Sequence, residues 1–290
     1  MHELTNPTEM RAWSRAERAR GRRIGFIPTM GFLHEGHLQL VARAAGRVDR
    51  TVLSVFVNPL QFGPGEDFAS YPRDLARDRR LAAGAGVACL FLPDTAALYP
   101  SEPQVRVHPG PLGDTLEGAA RPGHFGGVLT VVAKLFHLVE PDLAVFGRKD
   151  YQQATLVRRM ATELDFALEV DVAPTVRELD GLALSSRNAY LSGDERRAAL
   201  ALSRALRAVE QAWRGGEAAP AALVRRGREA LAVPGVSPEY VALVDEALRP
   251  VARADARTAV LLAARVGATR LIDNVVLGEG VAADPAVRAS

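Results

Sequence analysis

Apolar positions along this chain recur with two different periods. Residues 24–27 form a short apolar run, Ile24, Phe26 and Ile27, which Pro28 halts; from Leu38 the apolar positions become Leu38, Val41, Ala42, Ala45 and Val48, the spacing of an amphipathic helix. Residues 51–57 (TVLSVFV) are nearly all β-branched or aromatic, as a strand buried on both faces of a parallel sheet requires. A polar helical stretch around 74–83 precedes a third strand at 87–92 (VACLFL), so the pattern is βαβαβ.

Residues 93–127 are rich in glycine and proline and read as a long functional loop. Residues 128–139 (VLTVVAKLFHLV) are apolar nearly all round and predict a buried helix broken by Pro141. A short strand at 143–146, a helix ending near Glu163 and a strand at 168–172 follow. Ser192 and Glu195 then fit a capping box that opens an alanine-rich helix to about Trp213. Gly215, Gly216 and Pro220 separate it from a second helix at 221–231, and strands are predicted at 240–244, 258–264 and 270–277. This change of pattern places a domain boundary near Thr175.

Composition narrows the class. The 290 residues are long for one core, and 48% apolar with 24% charged is a globular balance. No apolar run approaches the roughly 18 to 20 residues of a membrane span, and the polar N-terminus is no secretory signal. A single cysteine, Cys89, fits a reducing cytoplasm. A net charge of +2, from 36 basic and 34 acidic residues, argues against a dominating nucleic-acid footprint. Only Lys134 and Lys149 among those 36 are lysines, and a lysine kept in an arginine-rich chain invites a reason.

The candidate chemistry begins where the period changes. His34 and His37 fall in the first turn of the helix, on one side of an N-terminus whose amides and dipole favour an anion. Two plainer readings compete: surface histidines at a helix start, and a metal pair. The second is weakened because structural zinc takes four nitrogen or sulfur ligands and Cys89 is distant in sequence. His34-Glu35-Gly36-His37 resembles the H-x-G-H signature of the adenylyl-transferring superfamily, which includes nucleotidylyltransferases and class I aminoacyl-tRNA synthetases. Gly36 suits it, because a missing side chain lets a nucleotide approach the backbone.

Several further stretches narrow the resemblance: Pro28-Thr29-Met30-Gly31, Phe56-Val57-Asn58-Pro59 with Gln61-Phe62, Lys149-Asp150-Tyr151-Gln152-Gln153, and Leu184-Ser185-Ser186-Arg187-Asn188. With Tyr71-Pro72-Arg73, Leu116-Glu117-Gly118, Arg121-Pro122-Gly123-His124-Phe125 and Leu271-Ile272-Asp273-Asn274, they run in order and resemble the pantothenate synthetase family. That resemblance implies an α/β fold: a Rossmann-like parallel-sheet domain for ATP and pantoate (residues 1–175) and a smaller α+β C-terminal domain (176–290). It implies ATP-dependent condensation of (R)-pantoate with β-alanine through pantoyl adenylate, releasing AMP and pyrophosphate, in a cytoplasmic homodimer. No protein nucleophile is needed, so the enzyme positions substrates and neutralises developing charge.

Carried onto this sequence, the resemblance implies that His34 and His37 contact the phosphates, with His37 rather than His34 as proton donor, and that Lys149 and Arg187 supply fixed cations. ATP would meet Met30, Gly31, Phe32, Leu33, His34, Glu35, Gly36, His37, Gly147, Arg148, Lys149, Asp150, Val176, Leu184, Ser185, Ser186 and Arg187, with Asp150 on the ribose. Gln61, Gln153 and Asn58 would form the pantoate and β-alanine site, with Gln61 and Gln153 on pantoate; the plainer readings are that Asn58 only begins a turn and that Ser185 or Ser186 only satisfies backbone. Mg²⁺ would accompany ATP, with Asp78 as its candidate protein ligand. Arg148 stands where the family commonly carries Glu, which should add a cation beside Lys149. The alternative is a nucleotidylyltransferase of the same superfamily, whose acceptor pocket should be cationic rather than built from glutamines. A tRNA-charging enzyme would need an RNA surface that the small, near-neutral second domain lacks, and a non-catalytic nucleotide sensor would not need His37, Lys149 and Arg187.

Overall fold

The computed structural model describes residues 1–287. The chain forms two compact units, one of residues 1–147 and 156–173, the other of 148–155 and the described residues from 174 on. Residues 148–155 therefore group with the second unit, although they lie well before the expected boundary.

The first unit is a six-stranded sheet paired parallel throughout. Its elements in chain order are β1 (His2–Leu4), α1 (Pro7–Ala19), β2 (Ile24–Thr29), α2 (Glu35–Ala45), β3 (Arg50–Val55), α3 (Leu75–Gly84), β4 (Cys89–Phe91), α4 (Thr95–Leu98), α5 (Glu117–Ala120), α6 (His124–Val139), β5 (Leu143–Gly147), α7 (Tyr151–Glu163, of which residues 156–163 belong to this unit) and β6 (Glu169–Ala173). The strand order is β1-β4-β3-β2-β5-β6, so the chain winds outward from β2 on one side and resumes at β5 on the other. Open α/β sheets bind ligands at such a reversal, beyond the carboxyl ends of the strands.

Pro28 does not end the strand as its sequence position predicts; β2 continues to Thr29. The ladder to β5 covers only Gly25 and Phe26, while the ladder to β3 runs from Ile24 to Thr29. The Thr29 carbonyl accepts from the amide of Phe56, beyond β3, so Pro28 turns its missing N–H toward the β5 side, where the ladder has already stopped. A proline is tolerated in this central strand because β2 and β5 part there.

One face of the sheet packs Ile27, Leu53, Leu90 and Val145 against Leu33, Leu40 and Val41. On the other, Phe136 of α6 meets Phe26, Phe146 and Phe166 edge-on, at ring separations of 6.4, 6.4 and 5.6 Å. α6 starts at His124, four residues before the apolar run suggests, because Gly123 at φ 82° turns the chain into it. The glycine-rich segment before α6 is more than loop: Asp94 caps α4 through the Ala97 amide, 2.6 Å away, and α5 forms a further turn. Two N-terminal elements, β1 and α1, also lie in a segment whose polarity gave no apolar signal. The cue for α1 was its start, where Asn6 accepts from the Thr8 amide at 2.7 Å and Pro7 occupies the first turn.

The second unit holds β7 (Arg177–Glu178), α8 (Gly193–Arg214), α9 (Pro220–Leu231), β8 (Val236–Val244), β9 (Ala259–Val266), β10 (Thr269–Val276) and β11 (Ala286–Val287). β8, β9 and β10 form an antiparallel sheet, and β7 pairs with β11. The capping box of α8 forms as its sequence predicts, with reciprocal bonds between Ser192 and Glu195 of 2.8 and 3.3 Å. Leu202, Leu206 and Val209 pack with Leu223, Val241 and Leu262 in the core. A buried ionic knot accompanies this core. Arg177 grips Asp273 with two bonds of 2.7 and 2.9 Å and Asp284 with a third of 2.7 Å.

Candidate active site

The loop after β2 is shaped by two residues at positive φ, Gly31 at 82° and Phe32 at 50°. Glycine is required at 31 on two counts, since a Cβ there would lie 2.7 Å from Val55 Cγ1 and 2.9 Å from Asp78 Oδ2. Asp78, on α3, accepts from the amides of Phe32 (2.9 Å) and Leu33 (2.7 Å), one on each oxygen. Asp78 is thus the buried anchor of this loop. Burial raises its pKa, partly offset by the two amides.

His34 caps α2. Its Nδ1 accepts from the Gly36 amide at 3.1 Å, and His37 Nδ1 accepts from the His34 amide at 3.3 Å, so two histidines close a capping box usually made by a hydroxyl and a carboxylate. The rings lie 4.1 Å apart. A nitrogen accepting from an amide carries no proton, so the neutral form of each ring holds its hydrogen on Nε2. The backbone of α2 selects the tautomer that can donate. Glu35, by contrast, accepts from Gln39 at 2.8 Å along the helix surface.

After β3 a 3₁₀ turn, Pro59–Gln61, presents Gln61. Asn58 is buried with all four hydrogen-bonding positions of its side chain used: Nδ2 donates to Gln61 Oε1 and to the Gly127 carbonyl, both at 3.1 Å, while Oδ1 accepts from the Leu60 amide at 3.3 Å and Tyr99 Oη at 3.1 Å. Burial pushes the Tyr99 phenol up to about 12, so it remains a donor. Since Gln61 Oε1 accepts from Asn58, the other terminal atom is the amide nitrogen, 3.2 Å from Met30 Sδ. Asn58 holds Gln61, and Gln61 keeps donors to offer. Gly127 makes this possible, because a Cβ there would sit 2.1 Å from the Leu60 carbonyl oxygen.

The same turn is held from behind by residues whose motif was visible in the sequence but whose task was not. His124 Nδ1 lies 2.8 Å from the Gln61 carbonyl and its Nε2 lies 3.0 Å from Arg121 Nη1. A carbonyl only accepts and a guanidinium only donates, so His124 is neutral with its hydrogen on Nδ1. Arg121 in turn pairs with both oxygens of Glu66. Burial, and then the Arg121 charge, bring the His124 pKa down to about 4. Lys134, the other lysine kept in this chain, places its ammonium 5.6 Å from the centre of the Tyr99 ring.

Of the expected site residues, the first unit brings together Met30, Gly31, Phe32, Leu33, His34, Glu35, Gly36 and His37 with Asn58 and Gln61, and carries Gly147 at the end of β5. The second unit carries the rest. Arg148, Lys149 and Asp150 form a 3₁₀ turn opening onto α7, whose first residues include Gln153. Lys149 Nζ is 3.9 Å from Asp150 Oδ1. Arg148 does not add a loose cation beside Lys149: it is buried, with one Nη on Asp284 at 2.7 Å and the other on Glu279. Val176 and Leu184 are neighbours because a reversal returns the chain, with the Leu184 amide donating to the Val176 carbonyl at 2.9 Å. Ser185 caps the following 3₁₀ turn, Ser186–Tyr190, its Oγ accepting from the Arg187 amide at 3.3 Å. Asn188 ties the turn back to the Ala183 carbonyl at 3.1 Å.

The comparisons with known proteins agree with one another. A protein-family profile described as Pantoate-beta-alanine ligase matches residues 2–276. The chain is 55% identical over 278 residues to a protein of Saccharopolyspora erythraea named pantothenate synthetase, covering 94% of this chain and 91% of that one. A Moorella thermoacetica protein of the same name is 51% identical, at 96% and 99% coverage. The crystal structure of pantothenate synthetase from Thermus thermophilus superposes with a TM-score of 0.91 at 50% identity, covering 96% of this chain and 99% of that one. Pantoate-beta-alanine ligase from Francisella tularensis, whose crystal structure is described as a complex with beta-gamma ATP and beta-alanine, reaches a TM-score of 0.81 at 31% identity, covering 97% and 99%.

The His124 arrangement has a consequence in solution. A histidine whose pKa falls on folding, here from 6.5 to about 4, stabilises the protein fully above the unfolded value and loses that contribution as pH drops toward the folded one. Urea unfolding of the parent should therefore show stability falling between pH 6.5 and 4, with His124 supplying about 3 kcal/mol of the loss at a slope approaching about 1.4 kcal/mol per pH unit. His124→Asn should remove that component of the slope. An identical pH profile for parent and variant would show that folding leaves the imidazole pKa where it stands in the unfolded chain.

Proposed function

This chain belongs to the pantoate-beta-alanine ligase family, and from that premise we infer which of its own groups carry each part of the family reaction. The chain is an AMP-forming ligase that condenses (R)-pantoate with β-alanine at the expense of ATP, through pantoyl adenylate. A carboxylate is a poor acyl donor. The pantoate carboxylate oxygen attacks the α-phosphorus of ATP and pyrophosphate leaves; the β-alanine amine then attacks the activated carbonyl, losing a proton, and AMP leaves.

The observation that carries the assignment is the histidine capping box. With both Nδ1 atoms accepting from backbone amides, the neutral rings of His34 and His37 carry their N–H on Nε2, at a helix N-terminus suited to a triphosphate. We assign His37 the proton donated as charge builds on the departing pyrophosphate, and Lys149 and Arg187 the fixed positive charges. Ser185 Oγ already accepts from the Arg187 amide, so its O–H is the atom available to a phosphate oxygen, with Ser186 beside it. Met30 through Leu33, Glu35, Gly36, Gly147, Arg148, Asp150, Val176 and Leu184 complete the ATP site, chiefly through backbone, with Asp150 suited to the ribose. Arg148 takes part through its main chain, because its guanidinium is committed elsewhere.

Gln61 and Gln153 bind pantoate, whose hydroxyls neutral amides can address without misplacing charge. Asn58 contributes by fixing Gln61 so that Nε2 is the outward donor. This amide character separates the ligase from a nucleotidylyltransferase, whose phosphorylated acceptor calls for cations. Mg²⁺ enters with ATP as part of the substrate and offsets phosphate charge. Asp78 remains the candidate carboxylate toward that ion; each of its oxygens accepts one backbone amide and keeps a further lone pair.

The working form is a homodimer in the cytoplasm. The single cysteine supports that location. Sedimentation at micromolar concentration should give twice the chain mass; a monomer would contradict the assembly.

Labelled pyrophosphate should exchange into ATP when pantoate is present and β-alanine absent, since adenylate formation involves only the first two substrates. Exchange that strictly required β-alanine would rule out the two-step scheme, and exchange driven by a phosphorylated acceptor would favour the nucleotidylyltransferase. Lys149→Ala should lower single-turnover adenylate formation by roughly 10²- to 10³-fold, the loss typical of one preorganised donor. Lys149→Arg should recover only part of it, because a planar fork puts the same charge elsewhere than a compact ammonium does. Rates within about threefold of the parent for both variants would make Lys149 an ordinary surface residue.

A further inference from the structure

Asn274 lies on β10, buried, and far from Lys149 in sequence. Its Nδ2 donates to the Arg148 carbonyl at 2.9 Å and to the Lys149 carbonyl at 2.8 Å. Two acceptors so close identify that atom as the amide nitrogen, since an oxygen there would face two oxygens. The carbonyls belong to the peptide planes on either side of the Lys149 Cα. A peptide unit is rigid, so holding both planes from one point sets φ and ψ of Lys149 and with them the direction of its Cα–Cβ bond. The rest of the turn is closed by ionic bonds. Arg148 donates to Asp284 Oδ1 and Arg177 donates to Asp284 Oδ2, both at 2.7 Å. Arg177 also grips Asp273 and donates to the Asn274 carbonyl at 3.2 Å. The circuit returns to Asn274, so residue 148 is held by both its carbonyl and its guanidinium.

A stability role alone is a poor explanation of this asparagine. Asn274 Oδ1 is buried without a hydrogen-bond partner, and an unpaired buried acceptor disfavours the fold. What the side chain secures in exchange is the fixed pair of carbonyls.

We propose that Asn274 is a positioning residue for the reaction: its side-chain amide, locked to the Arg148–Asp284–Arg177 circuit, fixes the backbone of Lys149 and so aims the lysine ammonium at the triphosphate. The inference rests on the phosphate-binding role assigned to Lys149, and its test separates the two. Asn274 never touches substrate, so its effect passes through Lys149. Removing the clamp lowers turnover of adenylate formation while leaving the pantoate KM nearly unchanged.

The experiment is a double-mutant cycle on the full chain, read by pyrophosphate exchange and single-turnover adenylate formation, with folding checked by circular dichroism. Asn274→Ala should slow adenylate formation by about 10- to 100-fold, the effect of a misplaced group, with the pantoate KM within about twofold of the parent. In a Lys149→Ala background the same substitution should cost no more than about threefold, because there is no ammonium left to aim. Asn274→Ser keeps one donor and should fall between; it replaces the alanine variant in the cycle if that variant does not fold. Equal losses from the Asn274 substitution in both backgrounds would leave the role of Lys149 standing and overturn the positioning. A wild-type rate for folded Asn274→Ala would overturn it as well. A wild-type rate for Lys149→Ala would remove the phosphate role itself, and the inference with it.

Discussion

A single buried carboxylate decides the shape of the loop that begins the active site. Phe32 occupies a positive-φ conformation that costs a non-glycine residue about 1 to 3 kcal/mol, and it is held there because its amide and that of Leu33 each meet one oxygen of Asp78. The arrangement carries a cost of its own. Burial raises the Asp78 pKa, so the ionised form opposes folding increasingly as pH rises through that value, and the two amides recover part of the loss. Because the loop is fixed, His34 arrives at the cap of α2 and His37 one turn on. Because both rings cap the helix through Nδ1, both present Nε2–H. Loop, cap and tautomer follow in that order from one anchor on a neighbouring helix.

The two units orient candidate site residues by the same device, a buried asparagine reaching groups on another segment. Asn58 uses both donors and both acceptor positions, which fixes the orientation of Gln61 and carries the constraint on to Tyr99 and Gly127. Asn274 uses both donors on the carbonyls flanking the Lys149 Cα and leaves its oxygen unpaired. An amide suits this work because it donates twice from one atom without bringing a charge into the interior. Charge is handled separately, by arginines in closed pairs: Arg121 with Glu66 behind Gln61, and Arg177 with Asp273 and Asp284 behind the Lys149 turn. The cation that Arg148 adds to this chain is absorbed by such a pair.

Much of the architecture could be read from the chain because its signals are local. The apolar run at 24–27, the β-branched run at 51–57 and the Ser192–Glu195 box each specify an element without reference to anything distant, and each element formed. Errors arose where a distant partner overrode local preference. Pro28 should stop a strand, yet it sits inside β2 because β5 has separated on that side. The polar N-terminus gives no apolar periodicity to read, yet α1 packs on α6 with buried Met10 and Ser14, and Arg18 reaches Asp142 at 3.0 Å. Asp78 could be noticed as an acidic residue on a helix, but nothing in its own neighbourhood says that its oxygens face the amides of residues 32 and 33.

The family motifs in the chain carry the reaction class, and short segments carry the chemical types expected at the site: two histidines at a helix start, a lysine retained among arginines, amides suited to an acceptor's hydroxyls and a serine-serine-arginine loop. These are properties of short segments, and short segments carry their own chemistry wherever they are placed. How those groups point depends on contacts made in the folded chain. The hydrogens on Nε2 of His34 and His37, the donor end of Gln61, the neutral state of His124 and the backbone of Lys149 are each set by a bond or an environment not readable from the residue itself, several to partners tens or more than a hundred positions away. Orientation depends on which donors and acceptors are satisfied once water is excluded, and that is a property of the packed chain.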